Sequence, residues 1–327
     1  MTHRCLLYGL VVESDVPLAG LATAPGQAAD VRIHFERLPP SIVRADALAH
    51  EFYRSPVELD EDPSLVAERR GDMLRLRYAD GIRFHIRDDG SEVWCDWDPP
   101  LTTADAMTFL LGPVLGLVLR RREVIAVHAS AVVHGGRAWA FVGPGGSGKS
   151  TIALALARAG FPVLTEDVLA LRPAEGGWLA WPAYDHVRLW GESPVLTAGE
   201  VDALPTLSPT WAKREVSLAA AGLPRAHGPV ALAGWFLLDS SDFDRVGAPL
   251  ESRVDPLGGA EALRALIENS YMTYLLDDDA KIAELRALGR AAQGVRAHRL
   301  LVAPGSAGLG STVRVIARTV HEASATL

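Results

Sequence analysis

The chain has 327 residues, 49% of them hydrophobic and 22% charged, with a formal net charge of −8. That apolar content excludes a disordered chain, and 30 glycines and 21 prolines scattered without period exclude collagen-like and low-complexity architectures. A net negative chain has no general pull toward nucleic acid, so any phosphate it binds must be held by a local site. Its two cysteines, Cys5 and Cys95, have neither metal-ligand spacing nor a disulfide framework, which suits a reducing compartment. The richest apolar run, Phe109 to Leu119, is shorter than the roughly 20 residues a bilayer needs and ends in Arg120-Arg121-Arg122. A buried helix with arginines at its negative end is expected there. With no segment that reads as an address signal, the expectation is a soluble, cytoplasmic protein without a membrane or nucleic-acid partner.

In chain order, Tyr8–Val12 and Val31–Phe35 have strand character, and 74–78, 82–87 and 92–97 alternate around two Asp-Gly turns. This predicts a small, mainly-β N-terminal domain over residues 1–100. Pro99-Pro100 punctuates, and Thr102 or Thr103 can cap a linking helix over 101–122. From residue 123 the pattern becomes α/β. Strands are expected at 124–133 and 138–142, a helix at 151–158 closed by Gly160, and a strand at 161–164. A hairpin follows at 168–171 and 178–181, then a buried strand at 230–238 and helices over 260–274 and 279–290. The tail past Glu322 is expected to fray.

Between the second of these strands and its helix lies Gly143-Pro144-Gly145-Gly146-Ser147-Gly148-Lys149-Ser150, a complete phosphate-binding loop. Glycines at 143, 145, 146 and 148 let backbone N–H groups converge without Cβ obstruction, making an anion nest. The helix that starts near Lys149 adds its positive dipole end. Lys149 brings a full charge to the β- and γ-phosphates, and the Ser150 hydroxyl can ligate Mg²⁺. Residues 143 and 145–151, Ser147 and Thr151 included, are the expected nucleotide contacts, with ATP and Mg²⁺ as ligands.

Glu166-Asp167 follows the strand after the loop helix, where a sheet of this kind carries its ligands. Adjacent strand residues face opposite ways, so one acid should face the phosphates and the other a metal-bound water or a neighbouring partner group. His128, on strand 124–133, shares a face with Ala126 and Ser130. A histidine inside an apolar strand is more often a satisfied core residue than a catalyst.

Taken together, Val127-His128-Ala129-Ser130, the loop 143–150, Gly160 and Glu166-Asp167 resemble the catalytic domain of HPr kinase/phosphorylase and its relatives, best over residues 120–240. Tyr8-Gly9-Leu10 and Ser14–Leu18 are more similar to the shorter HPr-kinase-like proteins of peptide-modification clusters, among them kinases of lasso-peptide precursors. The resemblance implies a P-loop kinase domain of the HPr kinase/PEP carboxykinase type with a mixed β-sheet over 123–327. It implies catalytic roles for Asp167, His128 and Lys149, with Asp167 accepting the hydroxyl proton. Ser150 and Glu166 would hold Mg²⁺, and Arg188, Lys213 and Arg214 would neutralise phosphate charge. The segment Tyr184–Trp190 departs from the family: His186 stands where a metal-binding glutamate is expected, which weakens a phosphorolysis activity.

The function that follows is an ATP- and Mg²⁺-dependent serine kinase acting on a peptide or small protein. A small-molecule hydroxyl kinase and a nucleotide-binding sensor or assembly module are the alternatives, since chemistry resides in sites rather than folds. A homo-oligomer is left open, because related kinases assemble into rings.

Overall fold

The computed structural model describes residues 2–18, 22–23, 26–35, 38–40, 42, 49–208, 211–239 and 251–325. The chain divides into two units. One is Met1–Val124 with Leu207–Ala212 and Met272–Asp277; the other is Ile125–Thr206, Lys213–Tyr271 and Asp278–Leu327.

Alternating sequence makes the first unit a sheet. Its strands are β1 (His3–Leu7), β2 (Leu10–Ser14), β3 (Ala22–Thr23), β4 (Val31–His34), β5 (His50–Arg54), the ribbon β6 (Glu58–Leu59) and β7 (Asp62–Pro63), β8 (Leu65–Arg70), β9 (Met73–Tyr78), β10 (Ile82–Arg87) and β11 (Glu92–Trp97). Nine of them pair in the order β3-β1-β2-β4-β11-β10-β9-β8-β5. The expected meander is β9-β10-β11, with Leu74, Leu76, Phe84 and Ile86 buried at alternate positions.

The segment 101–122, expected as a separate linker, belongs to this unit. Thr102 donates from its backbone N–H and its hydroxyl to Asp105 at 2.8 and 2.7 Å, starting α1 (Thr103–Phe109). Pro113 has no N–H to give, and the run Leu110–Val114 widens into a π-turn before α2 (Leu115–Arg121). The whole of Thr103–Arg121 is long and apolar enough to cross a membrane, and 72% of its apolar window is buried within the protein.

The second unit is α/β. Its strands are β12 (Ile125–His134), β13 (Arg137–Val142), β14 (Val163–Thr165), β15 (Val168–Ala174), β16 (Gly177–Trp181), β17 (His186–Leu189), β18 (Thr206–Ser208), β19 (Trp211–Ser217), β20 (Val230–Asp239), β21 (Arg253–Leu257) and β22 (Arg296–Leu301). In the mixed main sheet, β13 lies antiparallel to β12 and parallel to β20, and β20 is parallel to β22. Its helices are α3 (Lys149–Arg158), α4 (Ala198–Ala203), α5 (Gly259–Glu268), α6 (Asp278–Gly294) and α7 (Gly305–Ala325). Pleating sends Trp139 and Phe141 to one face, into a core with Leu154, Leu156 and Ile316. Ala138, Ala140 and Val142 go to the other, into a core with Leu266, Leu288 and Ala291. The sheet is thus covered by α3 and α7 on one side and by α5 and α6 on the other.

Two expectations are corrected here. The helix expected over 260–274 ends at Glu268, because His128 N–H bonds the Asn269 carbonyl and Tyr271 N–H bonds the Ala126 carbonyl, tying the chain to β12. The tail does not fray at Glu322: α7 continues to Ala325, with Ile316, Val320 and Ala323 buried. Glycines at 305, 308 and 310 hide that helix in the sequence. Gly308 is needed there, since a Cβ would stand 2.0 Å from the Ala303 carbonyl oxygen.

Candidate active site

β13 delivers the chain into the glycine-rich loop and α3 carries it away. Gly146 and Gly148 have φ of 79° and 93°, left-handed values that L side chains resist, and they turn successive amides inward. Gly143 is required for a different reason. A Cβ there would lie 2.9 Å from Ser147 Oγ and 3.2 Å from Leu238 Cβ. The Ser147 hydroxyl is buried without a hydrogen-bond partner among the described residues, as is expected of a group that receives a ligand oxygen. Lys149, 5% exposed, folds back on the loop, donating to the Gly143 and Pro144 carbonyls at 2.6 and 2.8 Å. Burial pulls its pKa down to about 8, against the opposing pull of Asp167 and Glu166. Thr151 Oγ1 shares a hydrogen bond of 2.7 Å with Ser193 Oγ.

The acid pair does not end a strand of a doubly wound sheet. It sits in a bend between β14 and β15, both antiparallel neighbours of β12. The break lets the two carboxylates diverge. Glu166 turns to the phosphate loop, where Oε1 accepts from Ser150 Oγ at 2.5 Å, and Tyr184 donates to Oε2 at 3.3 Å. Asp167 turns to β12, with Oδ1 2.9 Å from His128 Nδ1 and 2.8 Å from the Tyr271 hydroxyl. Ser130, on the same face of β12 as His128, donates to the Glu166 carbonyl at 2.6 Å and fixes the bend.

The electrostatics follow this divergence. Burial, with Asp167 next door, raises Glu166 above the ordinary glutamate range. Burial would raise Asp167 too, but donors His128 and Tyr271 and the Arg188 cation hold it well below the usual carboxylate range.

Arg188, on β17, is 7% exposed and stacks over Tyr184 at 4.7 Å. Its burial disfavours the charge, yet Tyr184, Glu166 and Asp167 raise its pKa all the same. Lys213 lies over the exposed Trp190 ring at 5.3 Å, and its charge acts on both Lys149 and Glu166. Arg214 is not brought in. It is the next residue on β19, and its Nη1 donates to the Leu204 carbonyl at 3.3 Å. His186 Nε2 stands 3.5 Å from Glu215 on β19, whose other oxygen is 3.7 Å from Arg188. Asp185 serves the scaffold, pairing with Arg225 and accepting from Ser217 and the Ala219 N–H.

Tyr271, Tyr184 and Glu215 are members of the site that sequence reasoning missed. For Tyr271 the available signal was Asn269-Ser270, a poor helix continuation inside the apparent helix. Among the described residues, no group of three or more His, Cys, Asp or Glu could hold a metal ion by itself. One hydroxyl beside one carboxylate, Ser150 and Glu166, suits Mg²⁺ in another way, because Mg²⁺ commonly combines one or two carboxylates with substrate phosphates and water.

No family model matches the sequence, and no curated protein matches it. Among solved structures, the chain is similar to the Hpr(Ser) kinase/phosphatase from Coxiella burnetii, at 13% identity and a TM-score of 0.34. The likeness covers 60% of this chain and 97% of that one, and is too loose to carry a functional conclusion.

Proposed function

We propose that this chain is an ATP- and Mg²⁺-dependent phosphotransferase that passes the γ-phosphoryl group to a serine hydroxyl of a peptide or small protein. One observation supports the reading above all. The 2.5 Å contact between Ser150 and Glu166 joins the phosphate loop to the acid pair, so an anion nest and an Asp–His pair belong to one site. Phosphoryl transfer asks mainly for placement and charge neutralisation, and this site has both.

In this reading the loop amides, Ser147 and Lys149 hold the β- and γ-phosphates, while Arg188 and Lys213 add positive charge around them. Lys149 would leave the Gly143 and Pro144 carbonyls for the phosphates. Ser150 and Glu166 would hold Mg²⁺, which when bound offsets phosphate charge. The acceptor hydroxyl gives its proton to the Asp167–His128 pair as its oxygen bonds to phosphorus. The experiment is incubation of the full chain with γ-labelled ATP, MgCl₂ and a pool of serine-containing peptides. Acid-stable, alkali-labile label on peptide is expected. Label on a small metabolite instead, or none beyond released phosphate, would sink the serine-kinase reading.

A further inference from the structure

Two bases, Asp167 and His128, meet at one spot, and only one of them can receive a given proton. Around His128 Nδ1 stand three oxygens: Asp167 Oδ1 at 2.9 Å, the Tyr271 hydroxyl at 3.1 Å and the Asp167 carbonyl at 3.2 Å. The Tyr271 hydroxyl spends its own hydrogen on Asp167, at 2.8 Å, so toward the imidazole it can only accept. Three acceptors around one ring nitrogen place the neutral ring's proton on Nδ1. The lone pair is then on Nε2, which has no hydrogen-bond partner among the described residues, on a side chain 32% exposed. Asp167 is the more enclosed of the two, at 21%.

We propose that His128, through Nε2, is the general base of the transfer, and that Asp167 and Tyr271 are positioning residues that hold its ring; the assignment rests on the phosphotransferase reading. As the acceptor oxygen bonds to phosphorus, the bond from phosphorus to the β–γ bridging oxygen breaks and ADP leaves with that electron pair. The hydroxyl proton moves to Nε2, giving an imidazolium that faces the Asp167 carboxylate and later returns the proton to water. A proton on Asp167 Oδ1 would displace one of the two donors already pointed at that oxygen. A proton on Nε2 keeps both contacts and strengthens the one to His128. The groups facing the ring are Asp167, from the β14–β15 bend, and Tyr271, from the segment after α5; Arg188, on β17, acts on it through Asp167.

The test uses the full chain, MgATP and the same serine-peptide pool. His128→Gln should lose transfer by on the order of 10²–10⁴ with unchanged nucleotide affinity, and imidazole in the buffer should restore part of the activity of His128→Ala. Spectra of ¹⁵N-histidine-labelled chain, with His128 identified by its loss in His128→Gln, should show the Nδ1–H tautomer, and Asp167→Asn or Tyr271→Phe should shift the balance toward Nε2–H. Three results overturn the assignment: His128→Gln within about threefold of parent, an Nε2–H ring in the parent, or acid-labile phosphate on His128 itself. A parent chain that transfers nothing removes the phosphotransferase reading first and this one with it, whereas an active parent with an active His128→Gln removes this one alone.

Discussion

Lys149, in the role proposed for it, would serve ligand binding at the expense of the fold. It is buried, charged and, among the described residues, satisfied by two carbonyls of its own loop. Its folded pKa, about 8, lies below the free value, so the protonated form costs stability at every pH below about 8. That cost fades as pH rises from about 8 toward the free lysine value of about 10.4. Lys149→Met should therefore melt at or above the parent temperature at neutral pH without ligand, with the gap narrowing toward pH 10. ATP should raise the melting temperature of the parent, and the same variant should lose that rise. Calorimetric scans with and without nucleotide check both. Asp167 divides the two processes differently. Asp167→Asn should bind nucleotide like the parent and lose transfer by on the order of 10²–10⁴, which titration calorimetry and steady-state kinetics separate. An equal loss of nucleotide affinity would mean that Asp167 ligates the metal.

Strand packing, at the scale of elements, sets where the loop begins. β13 and β20 pair in parallel, and where Trp139 and Gly234 are partners Gly234 lies against the Trp139 ring. A Cβ at 234 would stand 2.4 Å from that ring, in a fully buried core. Gly234→Ala should destabilise the protein by roughly 1–3 kcal/mol through overpacking, read as a lower urea midpoint with an unchanged slope. Trp139 leads directly to Gly143, so nucleotide affinity should weaken in the same variant. Among elements, the end of α5 was the least legible. Residues 260–274 carry an apolar helical pattern, but two long-range backbone bonds to β12 are worth more than one further helical turn, and they aim Tyr271 at Asp167.

For the whole molecule, the candidate site lies within one of the two units. The described site residues, from His128 to Tyr271, all belong to the second unit. Hydrogen exchange should therefore show MgATP slowing the amides of 143–151 and of the 166–167 bend, while the central strands β9, β10 and β11 of the first unit keep their rates. Protection centred on β9–β11 instead would move the nucleotide out of the loop.

What the sequence determined by itself is the contiguous chemistry. Eight adjacent residues shape the loop proposed to hold phosphate, because left-handed φ and close backbone approach call for glycine locally, whatever the rest of the chain does. Alternation likewise announced β9, β10 and β11, since a half-buried strand writes its pleat into consecutive residues. The tertiary structure alone decided how groups far apart in the chain meet. Glu166 went to Ser150 and Asp167 to His128 through the bend against β12. Tyr271 came in from more than a hundred residues away, and Arg214 was turned aside to Leu204 while Lys213, its neighbour, faces the site. Side-chain direction at such places depends on strand register and on where a helix stops, and both are set by long-range hydrogen bonds that no short stretch of sequence encodes.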